Sequence, residues 1–539
     1  MGKVFKISGN IVDPVNAIIY PGTLEIGDGK IIDIIREERE YANFLVPGLV
    51  DAHIHIESSM LVPAEFAKLA VVHGTVAVVA DPHEIANVLG IDGVRYMVEN
   101  GKKVPFKFYF GAPSSVPATG FETAGAQINA AQIEELFHQD KLKFLSEMMN
   151  YPGVLTDDPE VMTKIEIAQK YRKPIDGHAP GLKGEELKKY IQAGISTDHE
   201  AFQFGEGLEK IEAGMKILIR EGTAAKNFDE LHGLVPIYSD QCMFCCDDKH
   251  PNDLFQGHIN ELVKMALEKG YDHMKVLKCA TVNPVKHYGL EVGLLQKGDP
   301  ADLIVIDGFE RFNILETYIN GVLVAKDGVS LIPKVKTDII NNFKAKPRKP
   351  LDFTIKADTD EIDVIEVIDG ELVTNWIKVA PKVAHGLILS DPERDLLKIT
   401  VVNRYRDESP AVAFVKNFGL KNGAIASSVS HDSHNIVAVG VSDEDLTRAV
   451  NLIIKNKGGL AIVGDSLEEI LPLPVAGLMS TEDGRRVGER YQQIAEKAKV
   501  LGSGLKDPFM TMSFMTLLVI PELKISDRGL FDGKKFQFA

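Results

Sequence analysis

The stretch VPGLVDAHIHIE, Val46–Glu57, decides the fold, because it is an apolar run that closes on two histidines and a carboxylate. His53 and His55 lie two apart, and on a β-strand that spacing turns both side chains to one face. The pair alone has two readings, a grip on a metal ion or the polar face of a half-buried strand. The rest of the chain separates them. From Val46 onward, short apolar runs ending in polar residues alternate with helical stretches: PAEFAKLAVVHG, TVAVVADPHE, IDGVRYMVENGKK, VPFKFYFGAP, AAQIEELFHQD, LKFLSEMMN, DPEVMTKIEIAQKY, KPIDGHAP, KGEELKKYIQAG and ISTDHE. Repeated strand-then-helix units with near-continuous apolar strands predict a parallel sheet covered by helices. With MKILIREGTAAK and QCMFCCDD added, the strand-like runs number about eight, as a closed (β/α)8 barrel of the TIM type requires.

In such a barrel the carboxyl ends of the strands converge on one mouth, so residues far apart in the chain become neighbours. Each of several runs ends on a potential ligand: Glu147 in LSEMMN, His178 in IDGHAPG, His199 in STDHE, and Asp247 with Asp248 in CCDDKH. A lone histidine is more often structural than a ligand, but a set distributed over so many strand ends reverses that reading. Imidazole and carboxylate ligands suit zinc, manganese or iron, and a carboxylate able to bridge, Glu147, allows two ions to share a water. Alternation leaves open which of Asp247 and Asp248 faces the metal. Asp247 is favoured as the first polar residue after the apolar run MFCC.

The flanks read differently. Lys3 to about Phe44 alternates in short pieces with Gly and Pro between them, as in a small antiparallel sheet, and the stretch VGLLQKGDPADLIVIDGFERFNILETYINGVLVAKDG repeats that pattern after the barrel. The two predict one composite β domain from residues 1–45 and 288–340, around a barrel over 46–287. The basic, proline-containing KAKPRKPLDF marks a linker near Lys346 to Pro350, and 350–539 is expected to be a separate α+β domain with a helix starting at Ser442. The fold class is therefore α/β with a carboxyl-terminal addition.

The 539 residues, 45% hydrophobic and 25% charged, suit two or three globular domains. A net charge of -17 would add repulsion against a nucleic-acid backbone or an anionic membrane, which leaves a small-molecule substrate as the expected partner. Four cysteines, three of them crowded into residues 242–246, do not form a spread disulfide framework. No apolar run approaches the roughly 20 residues that span a bilayer, and MGKVFKISGN lacks the layout of a signal peptide. The expectation is a soluble, cytoplasmic protein.

VPGLVDAHIHIESSM, the later His178 and His199, and an Asp at the eighth strand resemble the amidohydrolase superfamily. ADPHEIANVLG, SEMMNYPGV, GHAPGL, GISTDHE, CCDDKHPNDL and HDSHNIVAVG together are similar to its bacterial and archaeal adenine deaminases, over Val46 to PELKISDRGLFDG. The resemblance implies hydrolytic deamination of adenine to hypoxanthine and ammonia at a dinuclear centre, with Mn2+ favoured over Fe2+ or Zn2+, and a homo-oligomer, a dimer. It implies that His53 and His55 bind the first ion, that Glu147 bridges where many relatives use a carbamylated lysine, that His178 and His199 bind the second, and that Asp247 is ligand and proton shuttle. Glu57, His83, Glu84 and Asp248 are the candidates for purine contact; protonation at purine N1 falls to Glu57, His83 or Glu84. Two departures stand out: Ser146 replaces the usual glycine before the bridging glutamate, and Cys246-Asp247-Asp248-Lys249-His250 replaces Thr-Asp-Asp-Arg-His. Neither removes a ligand. The alternative within the same machinery is hydrolysis of a cyclic amide or an N-acyl amino sugar.

Other motifs fail or stay open. His55-Ile56-Glu57 with Cys242-Met243-Phe244-Cys245 mimics a cytidine-deaminase zinc site, but Gln241 stands where its proline belongs and the halves lie far apart; the cysteines read as apolar filler. His83-Glu84 begins like a zincin helix but has Asn87 at the second histidine position. His431-Asp432-Ser433-His434 is either a turn before the strand NIVAVGV, a loop reaching over the active site or a further metal site.

Overall fold

The computed structural model describes residues 4–223 and 225–539, and in it the apolar stretch from Val46 divides at Gly48. Strands β1 (Phe5–Asp13), β2 (Ile18–Gly27), β3 (Lys30–Arg36) and β4 (Phe44–Pro47) belong to one sheet, and β5 (Leu49–Ile54) to another. Gly48 makes the break possible. A Cβ there would lie 2.4 Å from both Val76 methyl carbons, so only a residue without one lets the chain pass this closely.

β4 pairs in parallel with β1 and antiparallel with β13 (Leu303–Ile306), Val46 opposite Ile304. With β14 (Ile314–Ile319), β15 (Val322–Lys326) and β16 (Val329–Ser330) the order is β16-β15-β14-β13-β4-β1-β2-β3. One mixed sheet is thus built from both flanks of the barrel. Ile11, Leu24, Ile26, Ile31, Leu45, Leu303 and Val305 form its buried face, each contributing roughly 1.5–3 kcal/mol relative to exposure.

The barrel continues from β5 through β6 (Thr75–Ala80), β7 (Lys107–Phe110), β8 (Leu145–Met148), β9 (Ile175–Gly177), β10 (Thr197–Asp198), β11 (Lys216–Arg220) and β12 (Cys242–Cys245). Pairing is parallel throughout. A bridge between Ala112 and Leu145 links β7 to β8, the Ser196 amide donates to Ile175 O at 3.0 Å between β9 and β10, and a bridge between Ile54 and Asp247 closes β12 on β5. Eight strands close a ring. β5, β6, β8, β9 and β12 are buried along their whole length, as parallel strands under helices must be.

The chain forms two compact units: one runs to Pro82 and adds Arg95–Ser114 and Asn129–Thr337, the other is His83–Val94, Ser115–Ile128 and Asp338–Ala539. The division differs from the sequence boundaries in two ways. Two pieces from within the barrel region belong with the carboxyl-terminal unit, and that unit starts at Asp338, ahead of the basic linker. The reason is hydrogen bonding: the Lys344 and Ala345 amides both donate to Arg404 O, and Asn342 Nδ2 donates to Val88 O at 3.2 Å.

The second unit is built on a sheet ordered Thr374–Val379, Ile362–Val367, Ala411–Lys416, Leu396–Val402, Ile436–Gly440, Ala424–Ser427, Gly459–Val463, Glu468–Pro472. The helix Asp443–Asn456 begins where the Ser442 hydroxyl accepts from the Asp445 amide, a cap typical of Ser. Its Leu446, Ala449, Val450 and Ile453 pack on Ala424, Ala438 and Ala461 of the sheet, and Phe353, just past the linker, completes that core.

Candidate metal centre

His53 lies in β5 and His55 just beyond it, Glu147 in β8, His178 one residue past β9, His199 one past β10, Arg220 at the end of β11 and Asp247 two past β12. All seven are buried. The β5–β12 seam fixes the first two. Asp51 Oδ1 accepts from the amides of His53 and Cys246, and the Asp247 amide donates to His53 O at 2.9 Å.

The tautomer of His55 follows from its neighbour. Its Nδ1 lies 3.1 Å from Asp81 O, and a carbonyl only accepts, so Nδ1 carries a proton and Nε2 is the nitrogen whose lone pair a cation would take in the neutral ring. That Nε2 is 3.2 Å from His53 Nε2, 3.2 Å from Asp247 Oδ1 and 3.2 Å from Glu147 Oε1. Glu147 divides its oxygens. Oε1 faces His55, while Oε2 lies 2.8 Å from His178 Nδ1 and 3.3 Å from His199 Nε2. The His199 ring stacks on His53 with centroids 4.2 Å apart.

The donor set fits divalent cations. Imidazole nitrogens and carboxylate oxygens that converge without intervening donors are what such ions bind, and His53 with His199 and Asp247, and Glu147 with His178 and His199, each gather three ligand atoms within 4.8 Å. Buried His178 Nε2 and His53 Nδ1 have no hydrogen-bond partner among the described residues. Asp248 joins a third such group with His55 and Asp247, and its carboxylate accepts from the Ser58 hydroxyl. Glu57 is buried on the turn Ile56–Ser59 directly after His55. His83 and Glu84 lie in the second unit.

Two further residues complete the site. Arg220 donates through Nη1 to Glu200 Oε1 at 2.6 Å and to Asp247 Oδ2 at 2.5 Å, and through Nη2 to Glu200 Oε2. Glu200 Oε1 is also 3.3 Å from His199 Nε2. The signal was present: Arg220 is the polar end of the strand run MKILIR, the same rule that selected the others, and Glu200 follows a selected histidine.

Burial opposes ionisation of Asp247, but Arg220 and then His53 and His55 outweigh it and hold the carboxyl well below the usual range. Glu147 is held down in the same way by His178, His199 and His55. Both are carboxylates at neutral pH. The cysteine run is inert by contrast: all four thiols are buried and unpaired with one another, and burial pushes Cys242 up to about 12.

Residues 44–324 match the family model described as the amidohydrolase family, the class of barrel hydrolase that this fold and this mouth define. Residues 371–537 match the adenine deaminase C-terminal domain. The adenine deaminase of Salinibacter ruber is 52% identical, over 100% of this chain and 99% of its own length. That of Methanosarcina mazei is 51% identical over 99% and 98%, and that of Sulfurovum sp. 53% identical over 99% of each. The chain belongs to the adenine deaminases of the amidohydrolase family.

Proposed function

We propose that the chain hydrolyses adenine at C6, adding water and releasing hypoxanthine and ammonia. The observation that carries the reading is the division of the Glu147 carboxylate, Oε1 towards His55 and Oε2 towards His178 and His199. That is the arrangement a bridging ligand needs. His53 and His55 would hold one ion, His178 and His199 the other, with Asp247 on the first; Mn2+ is favoured, with Fe2+ and Zn2+ accepting the same donors. When bound, such ions bring the pKa of water towards 7, so that hydroxide is available at physiological pH.

The chain's own residues do the rest. Asp247 Oδ1 receives the proton of the attacking water, while Arg220 on Oδ2 keeps the group ionised and aimed. The same carboxyl then gives the proton to the C6 amine, which leaves as ammonia. Negative charge entering the ring needs a donor at purine N1, for which Glu57, His83 and Glu84 are the candidates, with Asp248 a further candidate for purine contact. His83 and Glu84 lie in the second unit. The enzyme would work in purine catabolism as a cytoplasmic dimer; no helix among the described residues is long and apolar enough to cross a membrane.

Ammonia release tests the reading directly. The apoprotein reloaded with each metal should form ammonia and hypoxanthine in equal amounts from adenine. Hydrolysis of a cyclic amide or an N-acyl amino sugar with no ammonia from adenine would instead establish the alternative reaction.

A further inference from the structure

The second unit buries its own set of metal-ligating side chains. Helix His83–Leu89 begins with His83 and Glu84, and the loop between strands Ala424–Ser427 and Ile436–Gly440 supplies His431, Asp432 and His434. All five are at most 4% exposed. Glu84 Oε1 lies 2.5 Å from His431 Nδ1 and 3.5 Å from His83 Nε2. Asp432 Oδ1 lies 4.0 Å from both His83 Nε2 and His431 Nδ1. An ion with bonds of about 2.1 Å holds neighbouring ligand atoms roughly 3–4 Å apart. Three of these four separations fall in that range, and the fourth reaches it by a small rotation of Glu84.

His434 has a different part. The Ser430 amide donates to His434 Nδ1 at 3.2 Å, so in the neutral ring the proton sits on Nε2 and is donated to Glu84 Oε2. That bond fixes the carboxylate with Oε1 turned to His431 Nδ1 and His83 Nε2. The loop itself is held at several points: the His431 amide donates to Ser513 O, the Thr516 hydroxyl to His431 O, and Arg404 Nη1 to His434 O, while the His431 ring stacks on Phe514. The Asn87 side chain donates to His83 O. With neutral imidazoles the cluster carries two buried carboxylates, Glu84 and Asp432, and burial of such charges is unfavourable unless a cation accompanies them.

We propose that His83, Glu84, His431 and Asp432 bind one divalent transition-metal ion, with His434 positioning Glu84; none of them is among the six barrel ligands. The inference is independent of the substrate read for the barrel.

Metal content decides it. The full-length chain is stripped with a chelator, reloaded with Mn2+, freed of excess ion and measured by elemental analysis, alongside Glu84→Gln and His431→Ala. The expected result is one equivalent less per chain in each variant, whatever the barrel holds; equal content in native and variant protein overturns the site. Crystals of the native chain grown with Mn2+ avoid reliance on variant folding. An anomalous peak between Glu84 Oε1 and His431 Nδ1 supports the proposal, and well-ordered side chains there with no peak refute it. Loss of adenine deamination with this peak intact would count against the function and not against the site.

Discussion

Arg220 Nη1 touches two carboxylates at once, Glu200 Oε1 at 2.6 Å and Asp247 Oδ2 at 2.5 Å. Since the guanidinium holds Asp247 by one oxygen only, the other is left facing His53 and His55. Arg220→Met should therefore cost the proton shuttle its aim and leave two buried carboxylates without their cation. Turnover is expected to fall by about 100- to 10,000-fold, the usual worth of a placed acid–base group. Unfolding free energy should drop by roughly 3–5 kcal/mol, as when one partner of a buried ion pair is removed. Ammonia release and urea denaturation measure the two. A variant within threefold of native turnover would show that Asp247 needs no such support.

Asp247→Asn separates binding from proton transfer. The amide has nearly the same shape and keeps an oxygen for a ligand, but it carries no exchangeable acid–base proton. Elemental analysis should find most of the metal retained while turnover disappears. Near-normal rates would pass the shuttle to Asp248 or another group.

The pattern of apolar runs closing on polar residues was enough to place β5 to β12 and the barrel mouth. Each of His53, Glu147, His178, His199 and Asp247 stands at or within two residues of a strand end. Strand ends are visible because the hydrophobic run stops there. Glu200 and Arg220 meet the same criterion, but a guanidinium binds no cation and Glu200 is engaged by it; their role shows only in the fork between Asp247 and His199. The break at Gly48 hid inside an apolar run, since a glycine between Pro47 and Leu49 marks a bend only once Val76 is seen against it. Least legible was the assignment of residues 83–94 to the second unit. Glu84 meets His431 across 347 residues of chain, and no local periodicity encodes a contact of that span.

Glu147→Gln tests the bridge. Glutamine presents one oxygen and an NH2, so it can serve one set of imidazoles but not both. Reconstituted protein should bind one barrel ion fewer than native and lose activity, and the chelator-treated native enzyme should recover turnover only as the second barrel equivalent is added. Full activity with a single barrel ion would leave Glu147 as a simple ligand.

Gly48→Ala asks whether the close approach to Val76 is required. The added methyl would meet Val76 carbons at 2.4 Å, which forces the backbone or that side chain aside, a cost of about 1–3 kcal/mol for an overpacked site. Thermal melts should show lower stability, and Val76→Ala in the same chain should restore part of it. Without that rescue, the strain lies elsewhere in the β4–β5 junction.

Lys524 supplies a pH dependence that does not involve the metal ligands. Its ammonium is fully enclosed, donating to Leu372 O at 2.6 Å and Phe514 O at 3.0 Å, and burial pulls its pKa down to about 7. The unfolded chain keeps the ordinary lysine value near 10.4. Between these two values the unfolded state binds the proton and the folded state does not, so stability should rise with pH from about 7 towards 10, by at most about 1.4 kcal/mol per unit from this group. Lys524→Met removes the titration. Its absolute stability depends on how Leu372 O and Phe514 O are then satisfied, so the slope is the informative quantity. Urea midpoints at pH 7, 8 and 9 should climb in the native chain more steeply than in the variant, and parallel slopes would mean that Lys524 stays charged when folded.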